Sequence, residues 1–162
     1  MTIVYLGCFM GDLTACASDL VMFDESDRLS MREQIEEFEE FLLQQPQVDI
    51  SEFQVENIFC DGIYIKKAVI PAGVVLTGAL HLTEHINIII SGKIKVLTEE
   101  SIETITAPCI FISPPMTKRV GLALEDTAWL NVHANRDNLD LDTLSKLLTV
   151  RTHKEAQKWL QS

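Results

Sequence analysis

The chain is 162 residues long, 47% hydrophobic and 23% charged, with a net charge of −11; this is the length of one domain with a real core and the balance of a folded protein. The charge is uneven, because residues 1–57 hold thirteen acids against two arginines while residues 58–162 are balanced, eleven against eleven. No basic stripe is present to release phosphate counterions, which argues against nucleic acid as a partner, and no apolar run is long enough for a membrane helix.

The N-terminal stretch 2–23 is fairly apolar, but it lacks a basic leader and Asp12 and Asp19 interrupt it. It is expected to be neither a signal peptide nor an anchor, but a folded or partner-covered arm. Gly7 and Gly11 break any long regular element there, and Asp24-Glu25-Ser26-Asp27 reads as a polar loop. Cys8, Cys16, Cys60 and Cys109 have no CxxC spacing. They are expected to be free thiols of a cytoplasmic protein, with Cys60 and Cys109 in the core.

Residues 30–45 are predicted to be a helix. Ser30 and Glu33 have the spacing of a capping box, Met31, Ile35, Phe38 and Leu42 form one apolar stripe, and Pro46 ends the helix. Glu36, Glu37, Glu39 and Glu40 crowd the other side, which is expected to be a solvated acidic face. The stripe must dock on a strand wall or on a second subunit, because an isolated helix of this charge would be marginal. Residues 1–52 therefore read as an N-terminal arm with an acidic amphipathic helix.

From Phe53 the periodicity becomes that of strands. Segments 53–60 and 63–70 flank Asp61-Gly62, a two-residue hairpin signal. Short strands are expected at 74–82, 86–91, 94–98, 102–106 and 109–113, separated by Gly, Pro and polar turns. Segments 119–124 and 128–134 are expected to close the series as a hairpin across Glu125-Asp126. About nine short strands with tight turns predict a mainly β fold, a single antiparallel β-barrel or jelly roll over 53–135. The tail, 136–162, reads as short helices: Leu141, Leu144, Leu147 and Leu148 share a face, and Thr152 with Glu155 opens another capping box.

The segment Gly78-Ala79-Leu80-His81-Leu82-Thr83-Glu84-His85, continuing to Gly92, resembles the first motif of the cupin superfamily. That motif runs from a glycine through two histidines one residue apart to a glutamate, with a glycine seven residues further on. Ile70-Pro71-Ala72-Gly73 and Gly92-Lys93-Ile94-Lys95-Val96 fit its flanks, and residues 112–119 echo the second motif. The resemblance spans roughly half the chain and implies the cupin jelly roll; it leaves the activity open. The arrangement His-x-x-Glu-His followed by Trp-x-x-x-His is similar to small cupin-like proteins encoded by bacteriophages. This implies a phage accessory protein in the host cytoplasm.

The departures bear on the site. Thr83 stands where the second histidine of the pair would be, and His85 stands where the glutamate would be, with Glu84 beside it. The histidine of the second motif is replaced near Lys118-Arg119. A substitute set is His81, His85 and His133 with Glu84, where His81 and His85 share parity if one strand carries both. Such a set suits Zn, Fe, Ni or Mn with a position open for a ligand. A metal-free pocket using the three histidines for hydrogen bonds or acid–base work is the alternative. Trp129 and Asn131 alternate to the His133 face and, with Tyr64 and Arg119, complete the ligand-binding candidates; Arg119 would pair with an anion. His153 is expected on the surface. Three functions compete: a small-molecule or metal-binding cupin, an interaction protein using the acidic segment to meet a host or virion protein, and a structural subunit. A homodimer is expected, with the 2–23 arm as an interface element.

Overall fold

The computed structural model describes residues 28–161. The expected arm and loop before residue 28, with Cys8 and Cys16, lie outside the described residues, as does the Ser30 side chain of the expected capping box. The chain order is helix α1 (Arg28–Leu43), a 3-10 turn (Ile50–Phe53), and strands β1 (Glu56–Cys60), β2 (Gly62–Ile70), β3 (Val75–Thr77), β4 (Leu80–His81), β5 (His85–Ser91), β6 (Lys93–Leu97), β7 (Ile102–Thr106), β8 (Cys109–Ser113), β9 (Val120–Ala123) and β10 (Thr127–Asn135). Then come α2 (Leu141–Leu148), β11 (Thr149–Val150) and α3 (His153–Leu160). No helix among the described residues is long and apolar enough to cross a membrane.

The strands form a five-stranded sheet, β1-β2-β10-β5-β8, a four-stranded sheet, β3-β9-β6-β7, and a two-stranded ribbon of β4 with β11. Every pairing is antiparallel. The eight strands β2-β10-β5-β8 and β3-β9-β6-β7 have the strand order of a jelly roll. The two main sheets share no ladder, so the expected closed barrel is corrected to two facing sheets. Their common core includes Ile70 from one sheet and Ile94, Val96 and Ala123 from the other, with Phe53 sealing it.

The chain passes between sheets at tight corners. Asp61-Gly62 makes the expected hairpin, with Cys60 opposite Ile63. At Gly92 φ is +87°, and a Cβ there would overlap the Asp126 carbonyl and lie 2.7 Å from Thr127 Cα. Only glycine lets β5 turn into β6 this close to the start of β10. Two expectations fail at such corners. Segment 74–82 breaks at Gly78-Ala79, where Gly78 N donates to the Arg119 carbonyl, and β3 and β4 enter different sheets. Segments 119–124 and 128–134 form no hairpin, because β9 pairs with β3 and β6 while β10 pairs with β2 and β5.

Helix α1 lays Met31, Ile35 and Leu42 against Val75, Leu97, Val120 and Leu122, on the outer side of the four-stranded sheet. Of the two docking surfaces expected for this stripe, the strand wall is the one it covers. Each such side chain contributes about 1.5–3 kcal/mol when fully buried, before the entropy of ordering is charged against it. The glutamate face is not simply solvated. Glu39 is 2% exposed and bonds to Lys118 Nζ through both oxygens at 3.0 Å, while Thr77 Oγ1 donates to it at 2.9 Å. Lys118 also donates to the Arg151 carbonyl at 2.9 Å.

Two further corrections concern burial. Cys60 is exposed and Cys109 only half-buried, because Cys60 ends edge strand β1. His153 is buried rather than superficial: its Nδ1 lies 2.8 Å from Glu36 of α1 and its Nε2 lies 2.8 Å from Glu99 in the β6–β7 turn. Arg32 also bonds Glu99, at 2.6 Å. The capping box of Thr152 and Glu155 forms as expected, and Asp140 caps α2 by accepting from Thr143 N. Leu144 and Leu148 of α2 are buried, but Leu147 is 44% exposed, so the α2 face is narrower than expected.

His153 gives the α1 contact a pH dependence. Burial alone would depress its pKa, but the bonds to Glu99 and Glu36 outweigh burial and raise it. A base whose folded pKa lies above its unfolded value binds the extra proton only when folded. Its contribution is fully present below the ordinary value of 6.5 and is lost as pH rises through the folded pKa. Glu99 is held down at about 2 despite burial, by His153 and Arg32, so the carboxylate contribution is fully present above the ordinary value of 4.5 and is lost as pH falls from there through the folded pKa. The buried pocket bases described below run the opposite way, so the difference between wild type and His153→Gln is the informative quantity. That difference in unfolding midpoint is expected to shrink between pH 6 and pH 8; a constant difference would refute the assignment.

Candidate functional site

The facing sheets frame a partly open pocket of about 120 Å³ at the end where β4, β10 and α2 meet. His81 arrives on the ribbon: it pairs with Thr149 of β11, and its carbonyl accepts from Met116 N at 2.8 Å. His85 opens β5 opposite Ser113 of β8, and His133 lies on β10 opposite Tyr64 of β2. His81 and His85 therefore reach the same place from two strands, separated by Leu82, Thr83 and Glu84, and not from one continuous strand as expected.

The three rings are closely grouped. Their centroids are 4.1 Å apart for His81 and His85, 4.7 Å for His85 and His133, and 5.0 Å for His81 and His133. One ring nitrogen from each falls within 4.8 Å of the other two. His81 Nδ1, His85 Nε2 and His133 Nδ1 are buried with no hydrogen-bond partner. His85 Nδ1 donates to the Thr83 carbonyl at 3.2 Å, which leaves the Nε2 lone pair free. Three buried polar nitrogens without partners are costly unless something binds them.

All three imidazoles are held in the neutral form. Burial pushes the His81 pKa well below its ordinary value, assisted by His85, His133, Arg119 and Lys66. Burial and the Arg119 charge depress His85, against the Thr83 bond. Burial, His85 and Lys66 bring His133 down to about 4. Neutral imidazoles with free lone pairs are the form that ligates a metal.

The other expected site residues take separate positions. Glu84 is exposed and outside the histidine cluster, because it sits in the turn between β4 and β5. Tyr64 is buried, stacks 6.1 Å from His133, and donates its hydroxyl to Asn57 at 2.7 Å. Burial raises its pKa to about 12, so it is a neutral phenol. Trp129 and Asn131 line the cavity on the His133 face, and both donate to Asn87 Oδ1, at 2.9 and 2.7 Å. Asn87 in turn donates to Ser113 Oγ, which also accepts from Arg119 Nη2 at 2.7 Å. Arg119 lines the cavity with its guanidinium 5.9 Å from the Phe111 ring centroid.

Lys66, Asn87 and Ser113 are the residues that sequence reasoning missed. Lys66 is buried on β2 two residues after Tyr64, and burial lowers its pKa to about 7. Asn87 is two residues after His85, and Ser113 is the register partner of His85. The two-residue repeat applied outward from Tyr64 and His85 would have found the first two; Ser113 needed the register.

No family model matches the chain and no curated protein matches it. Among solved structures it is similar to KdgF from Halomonas sp., at 15% identity over 55% of this chain and 81% of that one, with a TM-score of 0.45. It is also similar to an RmlC-like cupin from Shewanella frigidimarina, at 15% identity over 55% and 78%, TM-score 0.44. A third is an RmlC-like cupin family protein with a double-stranded β-helix fold from Methanocaldococcus jannaschii, at 18% identity over 51% and 79%, TM-score 0.43. The jelly-roll assignment itself stands on the strand order given above.

Proposed function

We propose that this protein is a cupin-fold binding protein whose His81, His85 and His133 hold a divalent transition metal at the end of a small-molecule pocket. The observation that carries this reading is the convergence of three buried, unpartnered imidazole nitrogens from three strands. An all-imidazole set favours Zn, Fe or Ni over Mn, which prefers carboxylate and water oxygens. Glu84, the only carboxylate in the expected set, is exposed outside the cluster. When bound, such a metal supplies Lewis acidity to a ligand oxygen. The chain's own contributions are to keep the imidazoles neutral, to fix the His85 tautomer through Thr83, and to wall the ligand with Tyr64, Trp129 and Asn131. The resemblance to phage-encoded chains makes an accessory role in a host cytoplasm part of the proposal.

A second reading, an interaction protein, is favoured by the outer side of the five-stranded sheet. Ile86, Ile90, Ile110 and Ile112 are exposed there at 42, 50, 70 and 63%. Register puts Ile86 beside both Val132 and Ile112 on this face, which carries no charged residue along β10-β5-β8. Aliphatic patches of this kind mark contact surfaces. The proposed occupant is a second copy of this chain, because a charge-free patch complements itself across a two-fold axis. Native mass spectrometry with elemental analysis tests both readings on one sample. The expected result is a dimer carrying about one transition metal per chain. A metal-free protein that takes up none of Zn, Ni or Fe would refute the first, and a monomer would refute the second.

A further inference from the structure

We infer that the pocket takes a small carboxylate with an apolar body, its carboxylate bound by the Arg119 guanidinium and its body lying against Leu76, Ile94 and Val96. The inference rests on the reading of this cavity as the binding site, and adds the class of ligand. Its first support is charge. Among the described residues that line the cavity there is no carboxylate; Arg119 is a full cation, and Lys66, brought down to about 7 by burial, is a partial one near neutral pH. Lys66 and Arg119 line the same cavity as His81 and His133, so the basic wall and the histidine cluster share one space. A metal ion would add positive charge to a wall already positive, and an anionic ligand balances it.

The second support is the state of Arg119. It is half-buried, and among the described residues its side chain makes one hydrogen bond, to the neutral Ser113 hydroxyl. No salt bridge to a carboxylate of the described residues forms. Ser113, itself held by Asn87, fixes one edge of the guanidinium and leaves its remaining donors for a bidentate partner. Arg119 also borders a second, larger cleft, but there Glu99, Glu100 and Glu103 stand against Arg32, which already pairs with Glu99, so the acids Glu100 and Glu103 disfavour an anion on that side. The negative ligand therefore belongs on the histidine side.

The third support is size and polarity. A cavity of about 120 Å³ is slightly smaller than the roughly 150 Å³ that accommodates benzene. Away from the polar end its walls are aliphatic, with Ala68, Ile70, Leu76, Ile94 and Val96. Inorganic phosphate would leave these walls uncovered, whereas a short-chain carboxylate covers them and keeps its charge at Arg119.

Butyrate, butyramide and inorganic phosphate, titrated by NMR into metal-loaded and chelator-stripped protein, test the inference. Butyrate is expected to cause saturable shifts of the Trp129 indole, and butyramide to bind at least about tenfold more weakly, as loss of a charge-assisted hydrogen bond requires. Arg119→Gln should weaken butyrate by a similar factor, and Arg119→Lys, which keeps the charge without the fork, by less. Equal binding of butyrate and butyramide, or tighter binding of phosphate, would overturn the inference on the wild-type protein alone, whether or not the variants fold. An unchanged butyrate affinity in Arg119→Gln would also overturn it. Metal content measured on the same samples separates the two proposals. Butyrate binding to protein that takes up no metal leaves this inference standing and removes the metal, and metal retention without butyrate selectivity does the reverse.

Discussion

Replacing His133 with phenylalanine is expected to abolish the response to added Zn²⁺ while leaving the metal-free protein as stable as wild type or more so. In wild type, Zn²⁺ at a hundredfold excess over its dissociation constant adds about 2.7 kcal/mol. For a chain of this length that raises the unfolding midpoint by roughly 5–11 °C. Losing one of three ligands should weaken binding by more than the ten- to hundredfold typical of losing an outer-shell partner, so the shift disappears at the same Zn²⁺ concentration. The apo prediction runs the other way. His133 Nδ1 is buried without a partner, and removing such a group relieves a penalty of about 1–3 kcal/mol, set against imperfect packing of the new ring. A histidine kept for structure would show the reverse pattern, with lower apo stability and no Zn²⁺ response in either protein. Differential scanning fluorimetry with and without Zn²⁺ separates the two. His153→Gln serves as the control, because His153 is engaged by Glu36 and Glu99 and should keep the full Zn²⁺ response.

The three histidines were legible in the sequence as candidates, but their route to one another was not. Parity along a single strand suggested that His81 and His85 would converge, and they do lie together, with ring centroids 4.1 Å apart. The cause is different: β4 belongs to the ribbon with β11 and β5 to the five-stranded sheet. A two-residue repeat cannot reveal where a ladder ends, since that depends on which strand comes alongside. Alternation along β10 carried Trp129, Asn131 and His133 to one face because β10 is unbroken over nine residues there. The corner at Gly92 was visible as a glycine, but its consequence, a change of sheet, depends on the close approach of Asp126 and Thr127. The paired acids of α1 were hidden for a related reason. Glu36 and Glu39 look like two more members of an acidic face until Lys118 and His153 arrive from 79 and 117 residues away.

Lys118→Ala is expected to produce the largest loss of stability of any single substitution considered, about 3–5 kcal/mol, as removing one member of a buried ion pair does. The Lys118 side chain is 0% exposed and that of Glu39 3%, at 3.0 Å. With the lysine gone, Glu39 keeps only the Thr77 hydroxyl and the more distant Arg151, whose Nε lies 3.9 Å away. The unfolding midpoint should fall by roughly 6–20 °C. The pair itself is not the source of that energy, because its desolvation offsets much of its attraction. The double variant Glu39→Leu with Lys118→Met is therefore expected to recover most of the loss, which chemical denaturation of the single and double variants would measure as a coupling energy. A loss under about 1 kcal/mol in Lys118→Ala would show that water reaches the site and that the pair is a surface one. The same double variant also bears on function. Lys118 is the neighbour of Arg119 and ties α1 to the Arg151 carbonyl just after β11, the partner strand of His81. If the double variant keeps both its stability and the Zn²⁺ response, the ion pair only specifies how α1 docks. If stability returns but the response does not, the charge pair positions the ribbon that carries His81.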